Sequence, residues 1–166
     1  ISVLLVDLTS PGVTVRPIKF ITGGDFHAQI FFDNVRVPAA NLVGEPNQGW
    51  HIAKGLLVIE RLFVARIGEC KAELRHLLPR VQALPKDAAG LAARHRLAEL
   101  QIRMNAQEAA WWPALQAAER GEQPALEASL LKLDGIALLH DLHLLGQDVL
   151  GPQALRCNPE GVLGQP

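Results

Sequence analysis

This chain of 166 residues lacks several features that define common classes of protein. Cys70 and Cys157 are its only cysteines and have no paired spacing, so we expect reduced thiols and a cytoplasmic location rather than a disulfide framework. The 16 Lys and Arg residues nearly balance the 17 Asp and Glu residues, and basic residues are not interleaved with aromatic ones. This pattern argues against a protein that binds nucleic acid.

Long apolar runs and internal repeats are also missing from the sequence. No run approaches the ~18 residues that a membrane-spanning helix requires, so no transmembrane helix and no membrane insertion are predicted. The first residue is Ile1 rather than Met, and the chain enters a strand-like segment at once. We therefore expect a piece of a longer protein, and the lack of a targeting segment says nothing about location.

The first 45 residues have the pattern of β-strands. Strands are predicted at Val3–Leu8, Val13–Arg16 and Ala28–Val37, with Pro17 ending the second strand and Pro38 ending the third. So few short strands cannot bury both faces of a sheet. We predict a partial antiparallel sheet whose other strands are missing.

The rest of the chain has helical patterns. One helix is predicted over Asn47–Leu78, with Asn47 as its N-cap and Pro79 as its end. Two more long helices are predicted over Leu91–Arg120 and Pro124–Leu150, since Pro suits the first turn of a helix. The last stretch, Arg156–Pro166, has no periodicity and is expected to be frayed.

Apolar positions on the second and third predicted helices define the expected core. One stripe on the second helix recurs at steps of three, four or seven: Ala93, Leu97, Leu100, Met104, Trp111, Leu115 and Ala118. The third helix is apolar on two sides, with Leu126, Leu130, Leu133, Ala137 and Leu144 on one and Leu131, Leu138, Leu142 and Leu145 on the other. An uncovered apolar flank implies that a fourth helix is missing.

The predicted fold class is therefore mainly α. It is an up-down helical bundle of three long helices, with a fourth missing, preceded by a partial antiparallel β-sheet. The predicted domains are residues 1–45 and residues 46–166.

Glu60 is the residue of the first helix that most needs an explanation. At about 100° per residue it falls on a face with Leu56 and Ile67, and the opposite face is also apolar, so the sequence predicts a covered carboxylate. Desolvation raises the pKa of such a group, as a general base for a carbon-bound proton requires. The alternative is a structural glutamate bonded to Arg61, Lys71 or a neighbouring subunit.

Three stretches of the chain occur in the order in which a known family has them. The first consists of Val6-Asp7, Pro11–Val13 and Phe31–Pro38. The second consists of Asn41–Glu45, Gln48–Trp50 and Glu60-Arg61. The third consists of Ala128–Lys132 and Val149–Pro152. They resemble the acyl-CoA dehydrogenase family, flavoproteins that desaturate acyl-CoA thioesters between the α and β carbons. The resemblance implies that residues 1–45 end the family's middle β-domain and that residues 46–166 belong to its C-terminal helical domain. It also implies FAD as cofactor, an acyl-CoA substrate, and a homo- or hetero-oligomer of acyl-CoA dehydrogenase-like subunits.

The same resemblance implies a role for Glu60. Members of the family abstract the α-proton with a glutamate while the β-hydride goes to the flavin. In most members that glutamate lies in a segment beyond the position of Pro166, whereas in the isovaleryl and long-chain branches it lies on the first C-terminal helix, directly before an arginine. Glu60-Arg61 occupies this place, so Glu60 is the expected catalytic base. Arg61 is expected to steady the carboxylate or the thioester region of the substrate, or else to pair with an acid elsewhere in the protein.

Arg80, Asp148 and Gly151 occupy positions that the family uses to bind flavin. The family's Arg-x-x-Phe-Gly stretch begins here at Arg80 but lacks the Phe-Gly, Asp148 replaces a glutamine, and Pro152 replaces a glycine after Gly151. Two interpretations stay open: an enzyme that binds flavin largely through other segments, or a non-catalytic partner subunit of a heteromeric acyl-CoA dehydrogenase. A free-standing helical interaction module is a third, although the uncovered flank predicts self-association instead.

The histidine pair His140 and His143 is a weak metal pattern. The two residues lie at i,i+3 with Asp141 between them, but no further ligand spacing accompanies them. Solvated histidines are the better interpretation, and no metal site is predicted.

Overall fold

The computed structural model describes residues 1–21 and 23–155. It divides the chain into two compact units, with the division between Gly55 and Leu56. The frayed end predicted for Arg156–Pro166 and the reduced state predicted for Cys157 lie outside the described residues. Of the described helices, none combines the length and the apolar character that crossing a bilayer requires.

The first unit contains two separate two-stranded antiparallel sheets. β1 (Val3–Leu4) pairs with β4 (Leu42–Val43), and β2 (Val13–Ile18) pairs with β3 (His27–Phe32). A short 3₁₀ turn, Ala39–Asn41, leads into β4. The predicted antiparallel pairing of a few short strands is therefore confirmed.

The strand bounds differ from the predicted ones for local reasons. The first strand ends early because the Asp7 carboxylate accepts a hydrogen bond from the Thr9 amide at 2.8 Å and so starts a turn. β2 continues through Pro17, since each strand of a two-stranded sheet has one free edge where the missing N–H costs nothing. β3 stops at Phe32 because Asn34, with a φ of 50°, turns the chain away.

Four helices make up most of the chain, and the predicted mainly-α class is confirmed. They are α1 (Gly49–Phe63), α2 (Ile67–Gln82), α3 (Ala88–Glu119) and α4 (Ala125–Leu150), followed by a 3₁₀ turn over Gly151–Leu155. Asp87 caps α3, because its carboxylate accepts from the Gly90 amide at 2.8 Å. The bounds of α3 and α4 lie within a few residues of the predicted ones.

The single helix predicted over Asn47–Leu78 is wrong, because it is two helices. Arg66 has a φ of 55°, in the left-handed region that a non-glycine residue rarely adopts, and it separates α1 from α2. Asn47 does not cap α1: it lies before the helix with a φ of 68°, and its amide donates to the Ser2 hydroxyl at 2.9 Å. Pro79 does not end α2, because the burial of Val81 in the core outweighs one lost helical hydrogen bond.

The second unit has its main core where α2, α3 and α4 meet. Its buried members are Cys70, Leu74, Leu77, Val81, Leu97, Leu100, Met104, Leu138, Leu142 and Leu145. A smaller cluster contains Leu62, Ala65, Ala114, Ala128 and Leu131, with Trp111 and Ala118 packed against it. The predicted stripe of α3 is therefore confirmed except at Leu115, which is half-buried and belongs to neither cluster, whereas its neighbour Ala114 is buried. One predicted flank of α4 is buried, whereas the other is exposed along its length.

Cys70 is fully buried in this core, and its thiol lies 3.7 Å from the Gly135 carbonyl oxygen, to which it donates. Burial raises the pKa of the Cys70 thiol from 9.0 to about 11, and the nearby Glu69 carboxylate adds to this shift. The folded state therefore keeps the thiol protonated at a pH where the unfolded chain has lost the proton.

We expect the free energy of unfolding to fall as the pH rises from about 9 to about 11. The contribution of a raised pKa is complete below the pKa of the unfolded state and is lost as the pH rises to the pKa of the folded state, and the loss is about 1.4 kcal/mol per pH unit between the two. Urea unfolding of the intact protein at several pH values measures the loss, and Cys70→Ala is the reference because it removes this group alone. A difference between the two proteins that stays constant up to pH 10.5 would contradict the prediction.

Candidate functional site

Glu60 lies in the last regular turn of α1, where its backbone carbonyl accepts from the Val64 amide at 3.0 Å. Its side chain is exposed, so the predicted burial of Glu60 is wrong for the chain described here. The sequence argument assumed that every apolar face of α1 is covered. Among the described side chains of the turns around Glu60, Leu62 is the buried one: it is 2% exposed and lies on the other side of the helix from Glu60.

Large apolar side chains surround Glu60 on the exposed face of α1. Leu56 is 65% exposed and Phe63 is 71% exposed, and Leu57 also faces solvent. These residues lie three or four positions from Glu60 and are therefore its neighbours on the helix surface. A contiguous apolar surface of this kind marks a place where another surface or a ligand packs. We call these four residues the Glu60 face.

Arg61 is half-buried and binds away from Glu60. Its Nη1 donates to the Ser129 hydroxyl on α4 at 3.3 Å. Lys71, the other basic partner considered for Glu60, donates to the Glu108 carboxylate at 2.6 Å. Neither base is therefore engaged with Glu60, and the other donors of the Arg61 guanidinium remain available to a ligand.

The break between α1 and α2 lies at residues 64–66, four residues after Glu60, and is held by side chains from α3. Trp111 Nε1 donates to the Leu62 carbonyl at 2.9 Å, and Gln107 Nε2 donates to the Ala65 carbonyl at 3.1 Å. Gln107 is 3% exposed and is the one buried polar side chain among the described residues. Sequence reasoning missed it. Gln107 stands seven residues after Leu100 and so shares the spacing of the apolar stripe of α3, and this spacing could have predicted its burial.

Gly135 on α4 allows this break to pack closely. A Cβ at this position would lie 2.0 Å from the Ala65 carbonyl oxygen and 2.5 Å from Gln107 Nε2. No side chain fits at such distances, so glycine is required by the approach of α4 to the break. α4 also contributes the Leu131 carbonyl, which accepts from Gln107 Nε2 at 3.1 Å.

The residues predicted to contact flavin lie at one end of the bundle. Gly135 lies against Ala65 and Gly146 lies against Leu77, so α2 and α4 run in the same direction and their C-terminal ends are neighbours. Arg80 lies in the last turn of α2 and Asp148 in the last turn of α4.

Their chemistry fits a flavin nucleotide only in part. Arg80 is a cation that could meet a phosphate, although its Nη1 donates to the His76 carbonyl at 2.7 Å. The Asp148 carboxylate accepts from Arg96 at 2.7 Å and, being an anion, does not suit a phosphate. Gly151 has a φ of 55° and a ψ of −137°, a conformation that glycine adopts at little cost.

The His140 and His143 pair has no set of metal ligands around it. Asp141, the acid between them, accepts from Arg103 at 2.6 Å, and Arg103 also binds Asp134. These two carboxylates raise the pKa of the Arg103 guanidinium, through the hydrogen bond to Asp141 first. Within residues 1–21 and 23–155, no three His, Cys, Asp or Glu side chains come together as metal ligands would.

Comparison with known proteins places most of this chain in one family model. Residues 47–162 match the model described as Acyl-CoA dehydrogenase, C-terminal domain. Acyl-CoA dehydrogenase FadE34 of Mycobacterium tuberculosis is 32% identical over 136 residues, which are 82% of this chain and 19% of that protein. FadE26 of the same organism is 34% identical over an alignment of 179 positions, which covers 98% of this chain and 43% of that protein. The chain therefore spans less than half the length of these relatives.

Solved structures show the same fold. A variant of the Tcur3481-Tcur3483 steroid ACAD superposes with a TM-score of 0.82 at 24% identity, over 98% of this chain and 43% of that one. Glutaryl-coenzyme A dehydrogenase in complex with glutaryl-CoA gives a TM-score of 0.78 at 20% identity, over 92% of this chain and 41% of that one. At such identities the likeness shows the fold alone.

Proposed function

Because the chain belongs to the acyl-CoA dehydrogenase family, we propose that it is the C-terminal part of a flavin-dependent enzyme that desaturates an acyl-CoA thioester. In this proposal residues 1–45 end the middle β-domain and residues 46–166 form the helical domain. The observation that carries the proposal is the Glu60 face, where one carboxylate stands among exposed apolar side chains. We expect residues 1–166 alone to be inactive, because they lack most of the length of their relatives.

Glu60 takes the α-proton of the thioester in the proposed reaction. In the intact protein, substrate or another segment covers the Glu60 face and removes water from the carboxylate. A desolvated carboxylate takes up a proton more readily, which is what a general base for a carbon acid requires. FAD, when bound, supplies the acceptor for the β-hydride. The apolar side chains of Leu56 and Phe63 exclude water from the site of proton transfer.

Arg61 holds the thioester end of the substrate in this proposal. Ser129 binds one nitrogen of its guanidinium, and the remaining N–H groups are free to donate to a carbonyl or phosphate oxygen.

Most flavin contacts come from segments outside this chain. Arg80 and Gly151 lie at the C-terminal ends of α2 and α4, and in this proposal Arg80 offers one positive charge to the cofactor. The Asp148 carboxylate is already paired with Arg96 and does not contribute. We also expect an oligomer of homologous subunits and a cytoplasmic location, the latter because Cys70 is a free thiol.

Addition of an acyl-CoA to the purified intact protein without oxygen tests this function. We expect a yellow protein whose flavin absorbance bleaches on addition of a suitable acyl-CoA, because the substrate reduces the flavin. An acyl-CoA panel that includes straight, branched and steroid side-chain thioesters covers the substrate classes. A yellow protein that no member of the panel bleaches would contradict the proposal.

A non-catalytic partner subunit is the second candidate. The pairing of Asp148 with Arg96 and the loss of Phe-Gly after Arg80 both favour it, since each removes a flavin contact. This candidate predicts a colourless chain that purifies together with a yellow homologous subunit. A yellow homo-oligomer that bleaches by itself would exclude it.

A further inference from the structure

We propose that Trp111 and Gln107 are positioning residues, which aim the Glu60 carboxylate by holding the carbonyl groups at the break between α1 and α2. The inference rests on the proposed role of Glu60 as the base. It assigns a task to two side chains of α3 that do not themselves meet substrate.

The break leaves backbone carbonyl groups without their ordinary helical partners. In a continuous helix the Leu62 carbonyl would accept from the Arg66 amide, four residues on. Here the Arg66 amide donates to the Phe63 carbonyl instead, at 3.3 Å, because Arg66 is left-handed. A buried carbonyl without a partner costs about 1–3 kcal/mol, so the break requires donors from elsewhere.

Trp111 and Gln107 supply those donors from one face of α3. Trp111 Nε1 lies 2.9 Å from the Leu62 carbonyl oxygen. Gln107 Nε2 lies 3.1 Å from the carbonyl oxygens of both Ala65 and Leu131, and so ties the break to α4 as well. Packing surrounds both donors, because Gln107 is 3% exposed and the Trp111 ring packs against the core cluster of Leu62.

These contacts set the rotation of the last turn of α1 about its own axis. Leu62 follows Glu60 by two residues, so the two side chains point about 200° apart around the helix. The Leu62 side chain is buried and its carbonyl accepts a hydrogen bond from Trp111, so the Glu60 side chain must point to the opposite side. The backbone carbonyl of Glu60 accepts the last regular helical hydrogen bond of α1, from the Val64 amide. Loss of the hydrogen bond from Trp111 to the Leu62 carbonyl therefore changes the direction of the Glu60 carboxylate.

Trp111→Phe tests the proposal in the intact protein. The ring stays in the core while the N–H donor is lost. The probe is an acyl-CoA with sulfur in place of the β carbon: it has no β-hydrogen to transfer, so exchange of its α-hydrogen for deuterium reports the base alone. We expect a 10- to 100-fold slower exchange at saturating probe with little change in its dissociation constant, since small misplacements of reacting groups cost about that much.

Trp112→Phe is the matched control, because Trp112 is 51% exposed and is the next residue along the same helix. It should leave the exchange rate unchanged. Melting temperature separates aiming from mere stability: a role confined to stability would lower the melting temperature of Trp111→Phe and leave the exchange rate, measured well below it, at the wild-type value. That result would overturn the inference.

Gln107→Met keeps the proposal testable should Trp111→Phe fail to fold. It keeps the approximate volume of the buried side chain, removes the donor to the Ala65 and Leu131 carbonyls, and is expected to slow exchange by a similar factor. An exchange rate equal to that of the wild type in a folded Gln107→Met protein would then overturn the inference. Glu60→Gln tells the two proposals apart. Loss of exchange in Glu60→Gln with normal exchange in Trp111→Phe overturns the positioning alone, and normal exchange in Glu60→Gln overturns both.

Discussion

Replacement of Glu60 by Gln in the intact protein is expected to slow acyl-CoA-driven bleaching of the flavin by roughly 100- to 10,000-fold, the usual contribution of a general base. Gln has the shape of Glu but cannot take up a proton at neutral pH. Binding of acyl-CoA should change little, because the amide still fits among Leu56, Leu57 and Phe63. The measurement is the rate constant of flavin reduction at saturating acyl-CoA, by stopped flow.

The fold should tolerate this substitution. Glu60 is exposed, and substitutions at such positions usually change the free energy of unfolding by less than about 0.5 kcal/mol. A loss of bleaching with an unchanged melting temperature is therefore the expected pair of results. Glu119→Gln is the matched control, since Glu119 is an exposed glutamate at the end of α3, and it should bleach at the wild-type rate. Wild-type bleaching by Glu60→Gln would remove Glu60 from the mechanism.

Gly135→Ala is expected to destabilise the helical unit by about 3 kcal/mol or more, as overpacking against backbone does. Helix propensity alone predicts the opposite sign, since Ala in the middle of a helix is favoured over Gly by about 1 kcal/mol. The added methyl group would lie 2.0 Å from the Ala65 carbonyl oxygen, and backbone cannot move aside as a flexible side chain can. Steric conflict therefore decides the sign. Urea unfolding of the intact protein, followed by helical circular dichroism, measures it.

Gly68→Ala is the control for the propensity term. Gly68 lies in the first turn of α2, and apart from its chain neighbours and the adjacent backbone of its own helix no atom of the described residues stands within 4 Å of the Cβ it would gain. This variant should be as stable as wild type or up to about 1 kcal/mol more stable. If Gly135→Ala and Gly68→Ala had the same effect, the close packing of α4 against the break would be contradicted.

Local sequence patterns predicted the helices well where burial follows helical periodicity. The stripe through Leu97, Leu100 and Met104 is buried as predicted, because spacing at three and four residues places side chains on one face wherever the helix packs. The sequence identified the two apolar flanks of α4 but did not tell which of them is buried. Both are leucine-rich, and only packing against α2 and α3 determines that Leu138 is buried and Leu133 exposed.

The break between α1 and α2 could not be predicted from local propensity. No Gly or Pro stands at positions 64–66, and the run from Leu62 to Ile67 reads as continuous helix. The break exists because donors and space come from elsewhere in the chain: Gln107 and Trp111 satisfy its carbonyl groups, and Gly135 leaves room for it. These residues are separated from the break by 42 or more positions, beyond the reach of any local pattern.

The sequence by itself determined the class of this protein, because helical periodicity, short β-rich segments and three ordered motifs are properties of neighbouring residues. It also singled out Glu60 as an acid in an apolar stretch. Only the tertiary structure decided that this acid lies on the exposed side of α1, since the direction of a helix face depends on which side finds a packing partner. In this chain the partner is the cluster around Leu62, and its position follows from contacts between residues far apart in sequence.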